Sequence, residues 1–269
     1  MTTDRHLVFG DDGSTAADVV WQWISNHAWP GWRISVITAT DAPSGSPVGG
    51  AEDLHPWQPP TPRQLPGGAG ADVELLTAAV DPRILLDSFS GAGLVAIGPR
   101  GQGVLKQLHI GSTAEWLLHS PSAPLVVVRS GRPTRKVLLC VDGSVDARRA
   151  AMTLAAMPWL GDCQVTVLGV QDGRAQAERG VEDALNLLRP TGAVLEERLV
   201  EAIRLTATFD VRSVILDAIA GDQPDLVALG TRGLGWVRRM VSGSTATAVV
   251  HHARCSVLVA REPEAQHHG

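Results

Sequence analysis

Two stretches of the chain carry the same glycine rhythm. In LGTRGLGWVRRMVSGST, Leu229 to Thr245, Gly230 is separated by two residues from Gly233 and by nine more from Gly243-Ser244-Thr245. IGPRGQGVLKQLHIGST repeats those intervals with Gly98, Gly101 and Gly111-Ser112-Thr113, 132 positions earlier (Gly98 against Gly230). A glycine loop leading from a strand to a helix N-terminus is a ready anion site, because loop amides turn inward and the first free helix amides carry partial positive charge. Gly98, Gly101, Gly230 and Gly233 would let backbone approach a phosphate and adopt positive φ. Gly111, Ser112, Thr113 and Gly243, Ser244, Thr245 would supply amides and hydroxyls to the far phosphates. Arg100 and Arg232, each just before the second glycine, would add charge. Neither loop is a Walker sequence, since no glycine precedes Lys-Ser or Lys-Thr, and neither is the Gly-x-Gly-x-x-Gly of dinucleotide folds. The bland alternative is that the glycines only make a tight turn.

Asp12 and Asp142 stand where the first strand of each half ends, inside Asp12-Gly13-Ser14 and Asp142-Gly143-Ser144. In an open parallel sheet ligands bind at the carboxyl ends of strands beside a switch in strand order. If the first and fourth strands are neighbours, each aspartate shares a crevice with a glycine loop and suits a ribose or a base, away from phosphates it would repel. Asp-Gly-Ser is also a turn with a helix cap. His119, His251 and His252 fall in last helical turns, where carbonyls and the helix dipole satisfy them. Trp21, Trp23, Trp29, Trp32 and Trp159 gather in and after the first helices, where packing is the default role. No catalytic triad, paired carboxylates or metal cluster stands out.

The elements that position these residues alternate strand and helix, which argues for a parallel doubly wound α/β fold. Expected strands are His6–Gly10, Arg33–Ala39, Asp72–Thr77, Leu94–Gly98 and Leu125–Val128, with helices after Ser14, over Pro82–Ser90 and from Ser112, where Ser112-x-x-Glu115 has capping-box spacing. Residues 41–70, rich in proline and glycine, make a long loop. After Gly131-Arg132-Pro133-Thr134 the order begins again: strands at Lys136–Val141, Gln164–Val170, Leu226–Gly230 and Ser256–Ala260, and a helix within 173–188. The third strand here is ambiguous. A gapless alignment to Val73–Asp87 favours Ile203–Phe209 with extra helix before it; the alternative is Ala193–Glu201 with an insertion behind it. The expectation is two tandem domains, 1–131 and 132–269.

At 269 residues, 44% apolar and a net charge of −5, the chain has the composition of two ordinary globular domains, with no general attraction to nucleic acid or an anionic membrane. No apolar run approaches the roughly 20 residues of a membrane span. Asp11 and Asp12 fall where a signal peptide would need its apolar region, so a cytoplasmic location is expected. Cys140, Cys163 and Cys255 form no Cys-x-x-Cys pair and read as core residues.

The paired Asp-Gly-Ser turns, the Gly98-Pro-Arg-Gly and Gly230-Thr-Arg-Gly strand ends and the nine-residue interval to Gly-Ser-Thr resemble the universal stress protein family in its tandem form, over nearly the whole chain. The resemblance implies a five-stranded parallel sheet of order 3-2-1-4-5 in each half, with helices on both faces. It implies ATP, alone or with magnesium, as the ligand of both loops, with Gly10, Cys140, Ala39 and Val170 giving backbone contacts to adenine. Pairing of the two fifth strands, and a further homodimer, are also implied. The expected role is that of a nucleotide-dependent stress-response regulator. An ATP-using enzyme, adenylating or slowly hydrolysing, and an interaction module without nucleotide are the alternatives. Two departures rank the first site below the second: Pro99 removes an amide donor from its loop, and the 41–70 loop stands in place of a helix beside the adenine region.

Overall fold

The computed structural model describes residues 4–40, 63–65, 70–100, 110–119, 122–171, 176–201, 204–205, 208–209, 211–231 and 244–261. In the first half, strand β1 (His6–Gly10) leads to helix α1 (Thr15–Ser25), then β2 (Arg33–Ala39), β3 (Asp72–Ala78), α2 (Pro82–Asp87), β4 (Leu94–Ile97), α3 (Ser112–His119) and β5 (Leu125–Val127). In the second, β6 (Lys136–Val141) leads to α4 (Val145–Ala155), β7 (Gln164–Gln171), α5 (Gln176–Leu188), β8 (Val194–Glu201), the short β9 (Arg204–Leu205) and β10 (Thr208–Phe209), α6 (Val211–Asp222), β11 (Leu226–Gly230), α7 (Ser244–His252) and β12 (Ser256–Ala260).

The main strands form one sheet in the order β3-β2-β1-β4-β5-β12-β11-β6-β7-β8. Each half is parallel and reads 3-2-1-4-5, and the halves meet where β5 pairs antiparallel with β12, Val126 opposite Leu258. The expected pairing of fifth strands is thus made within one chain, and it sets the carboxyl ends of the two half-sheets at opposite ends of the molecule.

Alternation along the strands sorts the core into two layers. Leu7 and Phe9 of β1 face the layer holding Val20, Trp23 and Ile24 of α1, Ala150 and Leu154 of α4, and Val181 and Leu188 of α5. Val8 faces the other, with Leu86 of α2, Leu117 and Leu118 of α3, Ile215 and Ile219 of α6, and Val249 and Val250 of α7. Coverage on both sides explains why the inner strands read as continuous apolar runs.

The third strand of the second half corrects the favoured expectation. It is β8, in unbroken parallel register with β7 from Gln164↔Val194 to Gln171↔Glu201. The insertion follows it, and β9 and β10 form a separate antiparallel pair. VLEERLVE has the composition of a helix, but at a sheet edge one face meets water, so charges are tolerated and even protective. Arg198 shows how: its guanidinium donates to Asp222 of α6 at 2.5 Å and to Glu196 at 3.1 Å.

Candidate nucleotide site

Each first-strand turn is built alike. Gly143 takes φ +79°, Asp142 Oδ1 accepts the Ser144 N–H at 3.0 Å, and Ser144 Oγ caps α4 by accepting the Ala147 N–H at 3.1 Å. In the first half Gly13 has φ +73°, Asp12 Oδ1 accepts the Ser14 N–H at 3.0 Å, and Ser14 Oγ accepts the Ala17 N–H at 3.1 Å. The turn-and-cap role of Asp-Gly-Ser is therefore realised in both halves.

The neighbour condition also holds. β1 lies beside β4, and β6 beside β11 with Leu229 opposite Cys140. Gly10, Asp12, Ala39, Gly98 and Arg100 consequently gather at the carboxyl ends of β1, β2 and β4, and Cys140, Asp142, Val170 and Gly230 at those of β6, β7 and β11. Ser112 and Thr113 open α3, as Ser244 and Thr245 open α7. Gly101, Arg232, Gly233 and Gly243 lie outside the described residues.

Several of these positions are occupied by the protein itself. A Cβ on Gly230 would come within 2.6 Å of the Ala147 amide nitrogen and 2.7 Å of the Asp146 carbonyl carbon, so its missing side chain lets β11 approach the start of α4. A Cβ on Gly98 would meet that of Ala16 at 2.9 Å. These two glycines serve close strand-to-helix packing as well as any ligand. Cys140 is buried, which pushes its thiol up to about 12 and leaves a neutral core residue. Gly111 donates its N–H to the Pro99 carbonyl at 2.7 Å, pinning the two ends of the first loop together.

Contacts that link the aspartate turn to its surroundings escaped the sequence. In the second half Thr231, directly after Gly230, donates its hydroxyl to Asp146 Oδ2 at 2.9 Å and its N–H to Ala260 at 2.8 Å. Asp146 is buried in the first turn of α4, where a carboxylate also suits the helix dipole. Pro99 and Ala16 hold these places in the first half. There, buried Asp11 is gripped by Arg63, Nε to Oδ2 at 2.6 Å and Nη2 to Oδ1 at 3.0 Å, while Nη1 reaches Asp18 at 2.7 Å. These bonds raise the Arg63 pKa beyond its already high value. Val141 replaces Asp11 in the second half and packs in the layer of α5. That helix comes so close that a Cβ on Gly180 would lie 2.5 Å from the Gly143 nitrogen.

Arg129, following β5, was also missed. Its Nη2 donates to the Val250 carbonyl of α7 at 2.5 Å, and its Nη1 is buried without a hydrogen-bond partner. Burial, and then Arg100, lower its pKa. The matching position after β12 is Arg261, so the repeat register was the signal that could have flagged it. The open groove of about 450 Å³ lined by Arg132, Pro133, Arg135, Lys136, Gln223 and Asp225 lies at the amino ends of β6 and β11, opposite the carboxyl ends that carry Asp142 and Gly230. Among the described residues no three His, Cys, Asp or Glu side chains converge as a metal site, and no helix is long and apolar enough to cross a membrane.

The family model described as "Universal stress protein family" matches residues 133–261. A Staphylococcus epidermidis protein named as a universal stress protein is 31% identical over 144 residues, covering 48% of this chain and 86% of its own length. The chain belongs to the universal stress protein family. A Mycobacterium tuberculosis universal stress protein is similar over the whole length, 26% identical with 95% of this chain and 97% of the relative covered. Among solved structures, that of a universal stress protein from Archaeoglobus fulgidus superposes with a TM-score of 0.66 at 17% identity, over 97% of this chain and 100% of its own, a likeness of fold. This universal stress protein therefore has family-type strand order in both halves, with differing contacts around the two candidate sites.

Proposed function

We propose that this universal stress protein binds ATP and acts as a nucleotide-dependent regulator in the cytoplasm, with domains 1–131 and 132–269. The second domain holds the stronger site. Asp142 accepts from ribose or base, the ends of β6 and β7 at Cys140 and Val170 give backbone contacts, and Gly230, Arg232, Gly233, Gly243, Ser244 and Thr245 receive the phosphates. Magnesium, where present, arrives on the phosphates. The observation that supports the reading is the adjacency of β6 and β11, whose carboxyl ends carry Asp142 and Gly230 beside the switch in strand order. The donor set fits such a ligand: the loop feeds the N-terminus of α7, where helix amides favour anions.

The weaker first site would use Gly10, Asp12, Ala39, Gly98, Arg100, Gly101, Gly111, Ser112 and Thr113. Its Gly111 amide is already taken by Pro99, which itself offers no N–H. Binding to the folded state alone stabilises it by mass action, and the same coupling can favour a homodimer. Chromatography of nucleotide released by heat from purified protein tests the reading. Release of an adenine nucleotide is expected; the absence of any released nucleotide together with no calorimetric ATP binding would overturn the reading.

A further inference from the structure

Where the two halves touch, an aromatic cage surrounds one histidine. His27, two residues beyond α1, sits with its ring centroid 4.5 Å from Trp159, 4.9 Å from Trp23 and 6.3 Å from Trp29. Trp159 belongs to the second half, the other two rings to the first. Trp23 and Trp29 also meet Trp159 edge-on, at 5.9 and 6.3 Å.

Polar groups of the cage fix the tautomer. The Nδ1–H of His27 donates to the Trp23 carbonyl at 2.7 Å, which leaves Nε2 with a lone pair. That lone pair accepts the backbone N–H of Thr134, the residue entering the second half, at 2.9 Å. Trp23 Nε1 donates to the Thr134 hydroxyl at 3.1 Å, and Asn26 Nδ2 holds the Gly131 carbonyl at 2.8 Å. The link between halves is thus clasped by the end of α1 through a neutral imidazole.

A proton on Nε2 would face an N–H instead of accepting from it, and the Thr134 bond would be lost. Surrounding charges offer the cation no help. From the linker, Arg135 acts on the ring as a like charge. Asp162 faces Arg135 at 3.9 Å, and Asp225 accepts the Arg135 and Lys136 amides. The Cys163 thiol donates to the Thr134 carbonyl at 3.3 Å and, pushed up to about 11 by burial, stays neutral. Burial, and then Arg135, pull the His27 pKa down to about 4, against the bond to Trp23.

We propose that this cage is an acid-responsive latch between the halves, in which protonation of His27 Nε2 breaks the Thr134 bond and loosens the linker's hold on α1 while both half-sheets stay folded. Protection of a buried hydrogen bond then depends on pH where the two halves are joined.

The test is a pH titration of the full chain, following the His27 ring and the Thr134 amide by NMR, tryptophan packing by near-ultraviolet circular dichroism and secondary structure by far-ultraviolet. The expected result is an Nδ1–H tautomer at neutral pH. His27 protonation, faster Thr134 exchange and loss of the near-ultraviolet signal should share a midpoint near pH 4, with the far-ultraviolet signal kept. In His27→Gln, whose amide oxygen can accept from Thr134 without titrating, that transition should vanish. A ring titrating near 6.5, an unchanged transition in His27→Gln, or simultaneous loss of both dichroism signals would overturn the proposal. Should His27→Gln fail to fold, the ring titration of the native chain still decides.

Discussion

The two halves share a strand order and a turn but connect them differently. In the second, the Asp142 turn is covered by α5 through the close approach at Gly180, and α4 is tied to the strand-four end by Asp146 and Thr231. In the first, Ala16 and Pro99 leave that tie out, and Arg63 reaches buried Asp11 where the second half has Val141. The comparison teaches that a duplicated scaffold can keep its backbone turn and exchange an apolar lid for an ion pair. The ends of β4 and β11 beside each turn therefore stand in different electrostatic settings.

The ion pair offers the hardest test of that difference. Removing Asp11 strips the half-buried Arg63 of two of its three charge-assisted bonds and leaves it only Asp18, so Asp11→Ala should destabilise by about 3 kcal/mol in denaturant titrations. Replacing both, Asp11→Val with Arg63→Leu, should recover most of the loss by imitating the second half. Equal losses in the single and double variants would contradict the exchange.

Acid should act next most strongly. His27 takes up its proton near 6.5 when unfolded and near 4 when folded. Between those values the unfolded state binds more protons, so stability falls as pH drops from 6.5 to 4, by about 3 kcal/mol in all, and this contribution is constant above that window. Chemical denaturation across the range, with His27→Gln losing this component, checks it.

Gly230→Ala and Gly98→Ala should differ. The first drives a methyl into α4 backbone at 2.6 and 2.7 Å, the second mainly against the Ala16 methyl at 2.9 Å. Overpacking should cost about 2–3 kcal/mol at Gly230 and about 1 kcal/mol less at Gly98, read from thermal midpoints. Smallest is Thr231→Val, which removes a hydroxyl bond to a carboxylate and should cost about 1–2 kcal/mol. Ala16→Asp with Pro99→Thr asks whether the first half can accept the same tie.

Much of this was legible in the chain. Buried parallel strands read as apolar runs because both faces are covered, and Ser14 and Ser144 cap their helices where the turns put them. The edge strand β8 was legible only as the less favoured alternative, Ala193–Glu201, since water on one face admits Glu196, Glu197 and Arg198, and the residues then look helical. Asp11 and Arg63 were missed because their bond spans 52 positions and has no local period. The same holds for His27 and Thr134, 107 apart. The glycine spacing pointed to a phosphate loop, but the use of Gly98 and Gly230 for helix packing became visible only with the neighbouring helices in place.

The central claim, an ATP site built on Asp142 and the second glycine loop, is tested most directly by calorimetric titration of ATP into the native chain, Gly243→Val and Gly111→Val. The account predicts saturable binding in the native chain and in Gly111→Val, and none at the strong site in Gly243→Val. No binding to the native chain, or binding lost with Gly111→Val and kept with Gly243→Val, would contradict it.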